Sequence, residues 1–382
     1  MRGVIYLDNS ATSWPKPREV FSKISDAVKI YGANPGRAGH RMSLSASEQI
    51  FKCRMDVADF FGIDDPSKVI FTLNATDSLN IAIKGLLKEN DHVIVSSMEH
   101  NSVLRPVFSL SQKKGVTYDV VWGNVYGFVS AEKIEKAIKP NTRLIVLTHA
   151  SNVCGTVNPI REVGAIAKKH GITFLVDASQ SAGIIPIDVN ADNIDILATA
   201  GHKGLYGPVG TGILYVRDAS VVDTIKEGGT GSNSKDLRQP DILPDKFESG
   251  TLNTVGIMGL SAGIDFINKT GIDEIAQYEK KLTGMMIERL AFTKGISVYG
   301  YLHTENRLGV VSFNVSGLDS VEVAKILNEK YNIAVRAGYH CAYTAHQTIG
   351  TGTLGTVRAS VGAFNTPNDI EMLCKAVKEI NL

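Results

Sequence analysis

The stretch Ala198-Thr199-Ala200-Gly201-His202-Lys203-Gly204-Leu205-Tyr206-Gly207-Pro208 decides how the rest of the chain is read. An apolar run over 194–199, expected to be a buried strand, ends in a histidine and a lysine, and a glycine-rich turn follows. Lysine is rarely buried without a partner. At a strand end inside a cleft it can take a lowered pKa and form a Schiff base with a carbonyl cofactor. A lone lysine in a turn is more often simply solvated, so its surroundings must decide. Upstream lies Phe174-Leu175-Val176-Asp177-Ala178-Ser179-Gln180, in which an acid closes a second apolar run. Open α/β sheets bind ligands at the carboxyl ends of their strands. An Asp there can hold a pyridinium nitrogen, the electron sink of pyridoxal phosphate chemistry, or it can cap the next helix. Asp177 and Lys203, 26 positions apart at the ends of neighbouring strands, favour the first reading.

Outward from this pair, short apolar runs at 69–72, 92–97, 118–122, 144–149, 173–177, 194–199 and 212–216 read as buried strands. Helical patterns at 79–87, 131–138 and 161–170 separate several of them, the last ended by Gly171. Such alternation predicts a mainly parallel sheet covered on both faces. A second region opens near Thr251, with helices at 254–268 and 272–292, a strand at 310–315 and helices near 321–331 and 369–380. Longer helices and fewer strands point to a smaller α+β domain, with a ligand cleft between the two. The length of 382 residues suits two domains. Forty Lys plus Arg against 39 Asp plus Glu leave a formal charge of +1, with no footprint for nucleic acid or an anionic membrane. No apolar run reaches the ~18 residues needed to span a bilayer. Four scattered cysteines without a CxxC pair point to a reducing cytoplasm.

Further residues could carry chemistry. Asn74-Ala75-Thr76-Asp77-Ser78 follows a strand and precedes a helix, so its free N–H groups and hydroxyls could hold a phosphate or form an ordinary N-cap. His100 also follows an apolar strand and could stack on an aromatic cofactor or shuttle protons. Gly350-Thr351-Gly352-Thr353-Leu354-Gly355 matches the dinucleotide pattern but lacks the strand–turn–helix context, and it reads as a flexible loop. A metal site through His340, Cys341 and His346 lacks a fourth ligand nearby, and none is expected.

The ordered motifs LDNSAT (7–12), ATDS (75–78), EHNS (99–102), SNVCGT (151–156), DASQ (177–180), GHK (201–203), FESGT (247–251), RAGYHCA (336–342) and VRAS (357–360) resemble the cysteine desulfurase family. That family has the class V aminotransferase fold, and the resemblance covers essentially the whole chain. It implies a pyridoxal phosphate-dependent transferase of fold type I, with a mainly parallel seven-stranded sheet. It also implies a large domain over 14–252 and a small α+β domain formed by 1–13 and 253–382.

Residue by residue, the resemblance implies that Lys203 holds the cofactor and moves the substrate Cα proton. Asp177 would pair with the ring nitrogen and Gln180 with the phenolic oxygen, while His100 would stack on the ring face. Thr76 and His202 would bind the phosphate, with Asp77 in the same cofactor-binding set and Thr251 arriving from the other subunit of a homodimer. Asn152 and Arg358 would hold the substrate carboxylate. Cys341 would accept the sulfur as a persulfide and pass it to an acceptor protein, whereas Cys53, Cys154 and Cys374 would pack. The expected reaction is L-cysteine to L-alanine. Selenocysteine lyase and a C–S lyase acting on cysteine derivatives are the rivals on the same scaffold.

Only 17 positions separate Cys341 from Arg358, which resembles the short-loop subgroup of desulfurases. The chain departs from the family pattern at Ala200, where a phosphate-binding Ser or Thr is usual, and at Tyr339, where short-loop enzymes carry His. The segment 343–355 also departs.

Overall fold

The computed structural model describes residues 3–36, 39–232 and 235–381. In chain order the elements begin with β1 (Ile5–Tyr6), α1 (Arg18–Lys29), α2 (Arg41–Phe61), β2 (Val69–Thr72) and α3 (Ala75–Leu86). Next come β3 (His92–Ser96), α4 (Asn101–Lys114), β4 (Thr117–Val121), α5 (Ala131–Lys136), β5 (Thr142–Thr148) and α6 (Ile160–His170). The central part closes with β6 (Thr173–Asp177), β7 (Ile196–Ala200) and β8 (Gly212–Val216). Then follow α7 (Thr254–Thr270), α8 (Ile272–Ala291), β9 (Ile296–Tyr299), β10 (Val310–Val315) and α9 (Ser320–Tyr331). The last are β11 (Ile333–Ala334), β12 (Arg336–Gly338), α10 (Tyr343–Thr348), β13 (Thr356–Ser360) and α11 (Pro367–Ile380).

Among the described residues, seven strands form one sheet in the order β2-β8-β7-β6-β5-β3-β4. β8 runs antiparallel to both β2 and β7, and the other pairings are parallel. Alternate residues feed opposite faces, as the pleat requires. Ile94, Ile145 and Leu197 join one apolar cluster with Val57 of α2 and Val163 of α6. Val93, Val146 and Ile196 join another with Leu79 of α3 and Val107 of α4. Both faces are therefore buried, which explains why these strands are apolar throughout. A third cluster joins α8, α9 and α11 to a four-stranded antiparallel sheet, β12-β13-β10-β9. Leu7 from the N-terminal segment belongs to it, and β1 pairs with β11.

The segment between Cys341 and Arg358 is not irregular throughout. α10 occupies 343–348 and buries Ala345 and His346, so the segment has a packed face of its own. Gly350–355 follows this helix as turn residues and leads into β13, away from any dinucleotide geometry. Among the described residues, no helix is long and apolar enough to cross a membrane.

Candidate active site

The parallel strands deliver their carboxyl ends to one edge of the large sheet, and a cavity of about 190 Å³ lies there. Thr76, His100, Asn152, Asp177, Gln180, His202 and Lys203 all line it, with Ser102, Thr148, Ser179 and Ala200. Thus residues spread over more than a hundred positions converge because each follows a strand or opens a helix beside one.

Asp177 is buried, and its Oδ1 accepts from the Ser179 backbone N–H at 2.9 Å and the Ser179 hydroxyl at 2.5 Å. Its Oδ2 has no donor among the described residues. Burial, reinforced by the positive charges of Arg358 and Arg336, holds the half-buried Lys203 down at about 8, against the pull of Asp177 and Asp8. His202 is pushed down to about 4 by burial and by Lys203 and Lys16, and its buried Nδ1 has no partner among the described residues. Gln180 donates through Nε2 to the Ser10 carbonyl at 3.1 Å. Asn74 caps α3 by accepting from Asp77 N–H at 3.0 Å, which leaves the other first-turn amides of this helix free toward an anion.

Four of the expected residues, Asp77, Thr251, Cys341 and Arg358, do not line this cavity. Asp77 does not line the cavity, because its carboxylate accepts from Leu73 N–H at 3.2 Å in the turn below. Thr251 is exposed and lines a separate cavity of about 470 Å³ beside Phe51 and Leu252.

Cys341 is exposed, and the preceding His340 is tied to the cavity-lining Asn152. Arg336 Nη2 lies 3.7 Å from its sulfur. Both His340 (φ 50°) and Cys341 (φ 59°) occupy the left-handed region, a strained choice for side-chain-bearing residues. The strain is held from three sides. Asn101 N–H donates to the Cys341 carbonyl at 2.8 Å, and Asn152 Nδ2 donates to the His340 carbonyl at 2.7 Å. The buried His340 ring bonds Thr356 Oγ1 through Nε2 at 3.0 Å. The nucleophile candidate is thereby fastened to the residue after His100 and to the cavity wall.

Arg358 is 1% exposed and already engaged. Its terminal nitrogens reach Asp8 Oδ1 at 2.7 Å and the Asn152 carbonyl at 3.0 Å, while Nε is buried without a partner among the described residues. Arg336 sits directly opposite it in the β12–β13 register. Cys53 and Cys154 are buried, and burial pushes the Cys53 thiol far up.

The class-V aminotransferase family model matches residues 5–373 of this chain. The chain belongs to the class-V aminotransferase family. A probable cysteine desulfurase of Methanothermobacter thermautotrophicus is 38% identical over all of this chain and 95% of its own length. A cysteine desulfurase of Salmonella agona is 34% identical over 98% of this chain and 93% of its own. An apo structure of the cysteine desulfurase from Thermococcus onnurineus NA1 superposes with a TM-score of 0.93 at 35% identity, covering 99% of this chain and 94% of that one.

Class-V aminotransferases of the desulfurase kind depend on pyridoxal 5′-phosphate, and the cavity suits that group. It offers an amine of depressed pKa for the carbonyl and, on the buried Asp177, a second carboxylate oxygen with no donor among the described residues for the ring nitrogen. The orphaned His202 Nδ1, the Thr76 hydroxyl and the start of α3 stand ready for a phosphate.

Sequence reading missed Ser102, Ser179, Asp8 and the placement of Arg336. Each lies inside a motif or beside one, yet its importance comes from a partner that only folding supplies.

Proposed function

We propose that this chain is a pyridoxal phosphate-dependent cysteine desulfurase, which converts L-cysteine to L-alanine and leaves the sulfur as a persulfide on Cys341. The observation that carries the reading is the exposed Cys341 thiol, bound through its own backbone to the rim of the cavity that holds Lys203 and Asp177. Pyridoxal phosphate, when bound, supplies the carbonyl that captures the substrate amine and the electron sink that loosens bonds at Cα.

The chain's own residues do the rest. Lys203, near 8, keeps a usable neutral fraction at neutral pH and takes the Cα proton. Asp177 holds a proton at the ring nitrogen through Oδ2. Arg358 receives the substrate carboxylate in competition with Asp8, and Asn152 completes that end. Arg336, with Nη2 3.7 Å from the Cys341 sulfur, flanks the nucleophile, which reacts as the thiolate. The thiolate attacks the substrate sulfur, so an S–S bond forms while Cβ–S breaks and its electron pair stays with carbon. That carbon gains the proton shed by the thiols, Lys203 returns its proton to Cα, alanine leaves, and the terminal sulfur remains on Cys341.

Several features support further parts of this reading. Thr251 faces outward beside exposed Phe51, so a second copy of the chain would bring it to the neighbouring cavity. A large domain over 14–252 and a small one formed by 1–13 and 253–382 draw support from the separate cluster of Leu7 with α8, α9 and α11, while α7 packs Ile257, Leu260 and Ile264 into the cluster of the large sheet. The bond from Asn101 to Cys341 limits the reach of the short loop and favours transfer to a docked acceptor protein. Four free thiols fit a reducing cytoplasm.

The test is product analysis with L-cysteine. Cys341→Ala should lose sulfide and alanine formation while keeping the cofactor absorbance. Lys203→Ala should lose that absorbance signature and at least about 100-fold in rate. Full activity in Cys341→Ala would overturn the desulfurase reading in favour of a lyase.

A further inference from the structure

β7 ends in Ala200, which puts only a methyl group on the cavity wall. The hydroxyls at this end belong to Thr76 and to Ser102, the second residue of α4. Ser102 is 8% exposed. Its Oγ stands 2.7 Å from Thr76 Oγ1 and 2.8 Å from His100 Nδ1, and its backbone N–H donates to the same Nδ1 at 3.1 Å. A backbone N–H can only donate, so Nδ1 carries a lone pair and the neutral ring keeps its proton on Nε2.

The Ser102 hydroxyl has one proton and two acceptors. Given to His100 Nδ1, it obliges Ser102 to accept from Thr76, whose proton is then spent. Given to Thr76, it leaves the Thr76 O–H free to donate into the cavity. Anion binding by Thr76 and hydrogen bonding to Nδ1 are therefore alternative uses of a single proton.

We propose that Ser102 is a positioning residue that couples the phosphate end of the cavity to His100: an anion held by Thr76 turns the Ser102 hydroxyl away from Nδ1. The proposal rests on Thr76 serving the phosphate. A donor to Nδ1 stabilises the neutral ring, so its departure makes His100 more basic. By linkage, a protonated His100 in turn favours the anion. The other groups facing His100 are Asp177 of β6, Lys203 after β7, Arg336 of β12 and Arg105 of α4. Asp177 pulls its pKa up, while burial and the three cations push it down. Wild type and Ser102→Ala carry the same set of these groups, so comparing the two cancels their effect.

The full-length apoprotein, with inorganic phosphate as the probe, provides the test. The His100 imidazole is titrated by NMR with and without phosphate in wild type, Ser102→Ala, Ser102→Thr and Thr76→Val. Phosphate should raise the His100 pKa in wild type by about 0.5–1 unit more than in Ser102→Ala, the size of one net hydrogen bond. Ser102→Thr should restore the larger shift. Thr76→Val, which leaves the Ser102 proton only one acceptor, should show the smaller one. Equal shifts in wild type and Ser102→Ala would sink the coupling while leaving the cofactor site intact. Failure of phosphate to bind wild-type apoprotein would instead overturn the assignment of Thr76, and the coupling with it.

Discussion

Glu99 has no exposed surface, and among the described residues no cation pairs with it. Its Oε1 accepts from the Ser96 hydroxyl at 2.6 Å and the Thr148 N–H at 2.8 Å, while Oε2 is buried without a partner among those residues. Burial outweighs those two hydrogen bonds and, helped by the negative charge of Asp177, drives the carboxyl up to about 8. A carboxyl raised in the folded state holds a proton that the unfolded chain gives up near its ordinary value of 4.5. Over the window from about 4.5 to 8, the folded protein thus binds more protons, and stability falls as pH rises. Above that window the loss is complete. Glu279, raised to about 8 by burial, acts in the same direction. Glu99→Gln removes one of these protons from the balance. Melting of the apoprotein at pH 5 and pH 8 should show a smaller drop for the variant, by the equivalent of about 1 kcal/mol or more. An unchanged pH slope would mean that Glu99 is ionised at pH 8 in the native fold without penalty.

At the scale of elements, the seat of the proposed anion cradle is a contact between β8 and the turn leading into α3. Gly212 opens β8 opposite Thr72. A Cβ there would stand 2.5 Å from the Asn74 carbonyl carbon and 2.7 Å from its Cα. Backbone cannot yield as a flexible side chain would, so Gly212→Ala must push the capping residue of α3 outward. The expected cost is about 1–3 kcal/mol, together with weaker pyridoxal phosphate binding. Equilibrium dialysis and thermal melting check both, and an unaltered affinity would show that the cradle does not depend on this turn. This contact also marks what sequence reading can and cannot reach. The runs at 69–72, 173–177, 212–216 and 310–315 coincide with β2, β6, β8 and β10, because bounded apolar runs with both faces buried leave little choice. The direction of β8 was not legible, since an antiparallel buried strand has the same composition as a parallel one. α10 escaped notice because six residues with two buried side chains make too weak a period. Lys203, Asp177 and Cys341 were readable as residue types in motifs. The Arg358–Asp8 pair spans 350 positions, and nothing local signals it.

At the scale of the whole molecule, the position of Thr251 raises the question of how many chains one site requires. It belongs to a motif expected at the phosphate, yet within its own chain it lines a different cavity, next to Pro66 and Leu252. Exposed Phe21, Met42, Leu44 and Phe51 lie on α1 and α2 and present apolar surface to solvent. If a second copy covers part of this surface and lends Thr251 to its neighbour, Lys203 and Thr251 of a single site come from different chains. Two inactive variants can then repair each other. Lys203→Ala disables the cavity in its own chain but still offers an intact Thr251. Thr251→Glu spoils the neighbour's phosphate end by charge repulsion but keeps its own lysine. In a mixed dimer, one cavity has both defects and the other has none. Random reassortment of equal amounts makes half the dimers mixed, so about a quarter of all sites should recover activity. The measurement is the desulfuration rate before and after the variants are unfolded and refolded together. A rate equal to the sum of the two parents, with mixed dimers verified by mass, would place Thr251 outside the partner's site. Recovery near a quarter would instead require Lys203 and Thr251 of each working site to come from different chains, because a site built within one chain gains nothing from mixing.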